Sequence, residues 1–216
     1  SSKRTLFLLN LSSSYSTSSS FLLSKNLLND YLKLHDINLK GNNNQIYDPL
    51  LSFEDTPYPA SIVNSLYSEG FTSPTPIQAQ SWPIALAGRD LVSIARTGSG
   101  KTCAFLLPGF MKILDSTLER DPHYSYSRSR TLPKMLILAP TRELTQQISD
   151  EAVKFSKGTP IVSTVLYGGT PKGPQLRQLS RGVDVVIGTP GRCNDLVEMG
   201  ALELSNVTYL VLDEAD

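Results

Sequence analysis

The sequence is poor in cysteine and histidine and carries no net charge. Its 216 residues contain two cysteines, Cys103 and Cys193, far apart and without metal-ligand spacing. That excludes a disulfide framework and a thiolate metal centre, and predicts reduced thiols in an intracellular protein. The two histidines, His35 and His123, stand alone among polar residues, which predicts surface or loop positions. Lysine plus arginine, at 20, balance aspartate plus glutamate, at 20. No global positive field attracts nucleic acid, so any such binding comes from local basic groups and backbone N–H donors. No apolar run approaches the ~18 residues of a membrane span. With 40% hydrophobic and 19% charged residues, the composition suits a soluble globular protein. The length accommodates one α/β domain plus an extension.

The extension is residues 1–50. Serine dominates it, as in the run 12–20, and the polar run 41–45 closes it. It buries too little apolar surface to offset ordering entropy, so disorder is its expected state. Two short apolar patches, 6–11 and 21–28, are weak helices or docking points. Lys3, Arg4 and Lys25 are the only charges before Asp30, a serine-rich and acid-poor composition shared with organellar transit peptides. Arginine is sparse there, which favours a plain low-complexity tail. A nuclear or cytoplasmic setting is the first expectation, with an organelle as the alternative.

Order is expected over 51–216. Residues 59–67 form a helix with Ile62, Val63 and Leu66 on one face, stopped by Gly70. Pro74 and Pro76 fix an extended turn that presents Gln78, and a helix follows to Leu86. Beyond it, the apolar runs 91–95, 135–139, 161–166, 183–187 and 207–212 read as strands. They alternate with helices at 103–114, 142–155, 174–179 and 191–199. Strands this apolar predict a parallel sheet covered on both faces, a doubly wound α/β domain. Its ligands sit at the carboxyl ends of the strands. Residues 119–132, with Pro122, Arg128 and Arg130, interrupt the rhythm as a surface loop or insertion.

Between the first of these strands and its helix lie Thr97, Gly98, Ser99, Gly100, Lys101 and Thr102. Strand, glycine turn, then helix is the layout of a phosphate cradle. The glycines let backbone N–H groups approach an anion, and the new helix adds its own. Lys101 reaches the β- and γ-phosphates, and the Thr102 hydroxyl ligates Mg²⁺. The strict pattern G-x-x-x-x-G-K-[ST] fails only at Ala95. Asp213-Glu214-Ala215-Asp216 follows the last strand. A carboxylate there holds Mg²⁺ and its neighbour polarises the attacking water, roles that fit Asp213 and Glu214.

Together these motifs resemble the first RecA-like domain of a DEAD-box ATP-dependent RNA helicase, over about residues 51–216. The tetrapeptide at 213–216 is literal, and alanine at position 95 is usual in that family. Residues 70–78, with Phe71 and Gln78, resemble its Q motif, which reads adenine. Phe53 stands where the family places an isolated upstream aromatic. Pro140-Thr141-Arg142-Glu143-Leu144 resembles motif Ia, Gly168-Gly169 the GG motif, and Thr189-Pro190-Gly191-Arg192 motif Ib. Residues 79–83 resemble a subgroup with many nuclear RNA-processing members.

The resemblance implies a RecA-like fold that binds ATP and Mg²⁺. It implies that Gln78 pairs with the adenine edge and that Phe53 offers the base a face. RNA is held on one strand through its sugar-phosphate backbone by Pro140, Thr141, Arg142, Gly168, Gly169, Thr189, Pro190, Gly191 and Arg192. Such contacts carry no sequence information. A second RecA-like domain, with arginine fingers, is expected as a partner in cis, in a monomer that needs no membrane. The Ser-Ala-Thr motif and the strands that normally follow the tetrapeptide are missing from the sequence, so a fragment or truncated product is expected. An ATP-regulated RNA clamp with little turnover is the alternative to a helicase. A DNA helicase or nucleotide kinase fits less well, given Gln78 and the tetrapeptide.

Overall fold

A computed structural model describes residues 4–11, 25–41, 47–118 and 132–215. Most of the loop at 119–132, with Arg128, Arg130 and His123, lies outside them, as does Asp216. Among the described residues six strands form one sheet in the order β2-β1-β6-β3-β5-β4. They are β1 (Arg4–Leu11), β2 (Leu91–Arg96), β3 (Met135–Leu138), β4 (Ser163–Leu166), β5 (Val185–Gly188) and β6 (Tyr209–Asp213). β6, β3, β5 and β4 pair in parallel, as the alternation of strand and helix predicts.

β1 departs from that expectation. It runs antiparallel between β2 and β6, with Leu8 opposite Val92 on one side and opposite Leu212 on the other. The first apolar patch of the extension is thus a docked strand. Its backbone donors and acceptors are used along both edges, which composition alone does not foretell. The second patch overlaps α1 (Lys25–Leu34).

Six further helices among the described residues pack around the sheet. α2 (Ala60–Ser68) buries Ile62 and Leu66 and ends at Gly70, whose φ of +85° suits glycine. α3 (Pro76–Leu86) opens with a capping box between Thr75 and Gln78, and Pro76 fills the first turn where no donor is needed. α4 (Lys101–Leu118) extends beyond the predicted end at 114. α5 (Arg142–Phe155) is capped by Thr141, whose hydroxyl accepts from Leu144 N–H. α6 (Lys172–Ser180) and α7 (Pro190–Glu198) complete the set.

The strands' two-residue period separates two cores. Met135, Ile137, Val185, Tyr209 and Val211 pack with Trp82, Phe105, Phe110 and Ile148 on one face. Leu136, Val186 and Leu166 pack with Cys193 and Leu196 on the other. Two buried polar groups anchor α4: Tyr209 OH donates to Phe105 O at 2.8 Å, and Trp82 Nε1 to Cys103 O at 3.3 Å. Since β2 through β6 all run the same way, the turns after them gather at one edge. The chemistry-bearing residues lie there.

Candidate functional site

The turn between β2 and α4 is shaped by Gly98 and Gly100, with φ of +75° and +87°. α3 holds it from the side. Thr75 Oγ1 donates to Ser99 O at 2.8 Å, and Gln78 Nε2 donates to Gly100 O at 3.1 Å. The approach is so close that a Cβ on Gly100 would lie 2.5 Å from Gln78 Nε2. Beside Gly98 the space is open, with nothing within 4 Å of a Cβ. Lys101 folds back so that Nζ donates to Ala95 O at 3.0 Å. Ser99 Oγ is buried and has no hydrogen-bond partner among the described residues. An orphaned hydroxyl within a turn of left-handed glycines fits an anion such as a phosphate.

Opposite the turn, Asp213 ends β6 and is 8% exposed. Burial pushes its carboxyl up to about 6, with Glu214 adding repulsion and Lys101 opposing it. Glu214 N–H donates to Asp213 Oδ1 at 3.2 Å, and Glu214 holds a φ of +50°. A left-handed non-glycine residue is costly and is found where surroundings impose it. Thr102 gives its side-chain hydrogen bond to Glu151 on α5. Burial raises the Glu151 carboxyl, while Thr102 and Lys154 lower it and Asp213 and Glu69 add repulsion. Glu151 belongs to no motif and the sequence reading missed it. Its signal was spacing, since it follows Ile148 by three on the helix face that also carries buried Ala152 and Phe155.

Among the described residues no three His, Cys, Asp or Glu side chains cluster as a ready metal cage. Magnesium needs none, since one or two carboxylates and substrate phosphates hold it with water. Asp213 and the Thr102 hydroxyl fit that donor set.

Two expected base contacts are arranged otherwise. Phe53 is 1% exposed, with its ring against Tyr67 and Trp82 at centroid distances of 5.4 and 6.2 Å. Enclosed in the core, it presents no face to a base. Gln78 is fully buried, and its amide is used at both ends, with Oε1 accepting from Thr75 N–H at 3.0 Å and Nε2 held by Gly100. It latches the glycine turn in this state instead of offering an open edge. Phe71 is half-buried with its ring 6.3 Å from that of Phe155.

The remaining motifs gather after β3, β4 and β5. Pro140, Thr141 and Arg142 are exposed at the start of α5, and Gly168 and Gly169 are exposed after β4. Gly169 has a φ of +77°, and neither glycine has an atom within 4 Å of a Cβ position. Thr189 N–H donates to Leu166 O at 2.9 Å, tying this loop to the start of α7. Pro190 and Gly191 are exposed there. The Arg142 guanidinium lies 4.6 Å from the centre of the Tyr167 ring. Arg192, expected to offer its charge to RNA, is instead 8% exposed and turned inward. Its Nη1 donates to Gln175 Oε1 and its Nη2 to Thr170 O, both at 3.0 Å.

Comparison with known proteins follows the same lines. Residues 75–216 match the family described as DEAD/DEAH box helicase. The chain is 52% identical over 186 residues to DEAD-box ATP-dependent RNA helicase 14 of Arabidopsis thaliana, covering 86% of this chain and 28% of that protein. It is 55% identical over 186 residues to DEAD-box ATP-dependent RNA helicase 40 of Oryza sativa subsp. japonica, covering 86% and 22%. It therefore spans about a quarter of the length of these relatives. The yeast DEAD-box splicing factor Prp28 shares its fold with a TM-score of 0.73 at 29% identity, over 86% of this chain and 42% of that one.

Proposed function

Since the chain belongs to the DEAD/DEAH box helicase family, we propose that it is the ATP-binding half of an RNA-stimulated ATPase that remodels RNA duplexes or ribonucleoproteins. The observation that carries this reading is the glycine turn at 97–102, with Ser99 Oγ buried and unpartnered inside it and Lys101 near enough to act on the Asp213 carboxyl. In this reading Lys101 leaves Ala95 O and pairs with the nucleotide's phosphates. Thr102 and Asp213 would hold a magnesium ion, whose chemistry there would be charge neutralisation at the transferred phosphoryl group. Glu214, at the exposed end of the acidic turn, orients the attacking water. Release of Gln78 Nε2 from Gly100 frees its amide for the adenine edge and links base recognition to the shape of the turn.

RNA lies across the carboxyl ends of β3, β4 and β5. Arg142 supplies charge, and exposed backbone at 168–169 and at Gly191 supplies hydrogen bonds, so the binding is blind to base identity. The second RecA-like domain implied by the family supplies the opposite wall of both sites.

Lys101→Ala tests the phosphate-cradle assignment. In the full-length protein it is expected to abolish productive ATP binding and RNA-stimulated phosphate release. Parent-like ATP affinity and turnover in this variant would refute the assignment.

A further inference from the structure

Below the exposed glycines at 168–169, two buried side chains use their polar groups on one another and on the loop. Arg192 gives Nη1 to Gln175 Oε1 and Nη2 to Thr170 O, each at 3.0 Å, while Nε faces Asp195 at 3.7 Å. Gln175, 7% exposed, donates from Nε2 to Tyr167 O at 3.2 Å and to Thr170 Oγ1 at 3.0 Å. Both ends of the loop 167–170 are thus fastened to α6 and α7 from beneath. From the side, the Arg142 guanidinium pins Tyr167. Between these fastenings, Gly168 and Gly169 leave backbone bare toward solvent.

We infer that Gln175 and Arg192 are positioning residues that set the spacing between the backbone at 168–170 and that at 189–191, and that Arg192 makes no phosphate contact of its own. The inference rests on the RNA-binding reading above. The two arginines divide the work. Exposed Arg142 keeps guanidinium edges available to an anion, and its charge lies near the surface. The Arg192 fork is matched to a carbonyl and an amide at fixed angles, a geometry that lysine does not reproduce. A buried arginine that serves only fold stability would stand on the same bonds. The two roles separate in how RNA affinity changes with salt, because each phosphate contact by a cation adds to the salt dependence and a positioning residue adds nothing.

The test uses the full-length protein, a fluorescent single-stranded oligouridylate, and anisotropy titrations across a salt series. ATP affinity without RNA and thermal stability are measured alongside. Gln175→Glu keeps the size and an acceptor for Arg192 but removes both donors to the loop. It is expected to weaken RNA about tenfold through two lost hydrogen bonds, with ATP affinity unchanged. Arg192→Gln is expected to weaken RNA while leaving the slope of log affinity against log salt as in the parent. Arg142→Ala is expected to reduce that slope by about 0.7, one phosphate's worth on a single strand. If Gln175→Glu binds RNA as tightly as the parent, or Arg192→Gln reduces the slope as Arg142→Ala does, the inference falls and RNA binding by this face stands. A parent that binds no RNA overturns the functional reading, and this inference with it.

Discussion

Asp213 carries a cost in stability at the site proposed for it. Its carboxyl is pushed from 3.8 to about 6, first by burial and then by Glu214. Between those values the folded state binds more protons than the unfolded one. Stability therefore falls as pH rises through that window, and the loss persists above it. Asp213→Asn removes the charge and keeps the shape. At neutral pH the variant is expected to be more stable than the parent by on the order of 2–3 kcal/mol, at 1.36 kcal/mol per pKa unit. The advantage should disappear below about pH 4, where the parent is also neutral. Urea melts of both proteins across pH, without nucleotide, measure this. Equal midpoints at neutral pH would show that Asp213 is not strained by its site. The same substitution should remove the magnesium dependence of nucleotide binding, the usual exchange of stability for function.

β1 is the element on which the placement of the phosphate turn depends. Among the described strands β2 pairs only with β1, which in turn pairs with β6. The ladder linking the Lys101 turn to Asp213 therefore passes through residues 4–11. Leu8 lies at its centre, opposite both Val92 and Leu212. Leu8→Pro removes its N–H and places a ring where strands flank both sides. The variant is expected to lose about 1–3 kcal/mol of stability, the cost of one or two ladder bonds and an unsatisfied acceptor. Amide exchange at 91–96 should accelerate while 135–138 keeps its protection. Uniform acceleration in both strands, or none in either, would contradict the local role assigned to β1.

For the whole molecule, the decisive quantity is how much of the catalytic site one domain contains. On the function proposed above, Lys101, Thr102, Asp213 and Glu214 would supply the cradle, a metal site and a base, all from one side. The chain alone is expected to bind ATP·Mg²⁺ weakly and to hydrolyse it at a negligible rate. In related phosphoryl-transfer enzymes an arginine from the opposite side contributes about 10³–10⁵ in rate, and a general base contributes only about 10²–10⁴. Phosphate release by the chain and by the full-length protein, with and without RNA, measures the difference. Rapid RNA-stimulated hydrolysis by the chain alone would mean that one domain suffices.

The sequence by itself determined everything that depends on neighbours along the chain. The glycine turn, the proline turn that opens the helix of Gln78, the helix stop at Gly70, the apolar run of β3 and the acidic turn after β6 are local patterns, and the chemistry they imply travels with them. Only the tertiary structure decided which groups spend their hydrogen bonds on each other. Phe53 is closed into the core by Tyr67 and Trp82. Gln78 latches Gly100 across 22 positions, and Arg192 turns inward to Gln175 across 17. Glu151 reaches Thr102 from another helix, and residues 4–11 enter the sheet some eighty positions before β2. A motif names the side chain and its reach, but it carries no record of a partner supplied by a distant segment. The packing that buries a polar group also chooses the atom that must satisfy it.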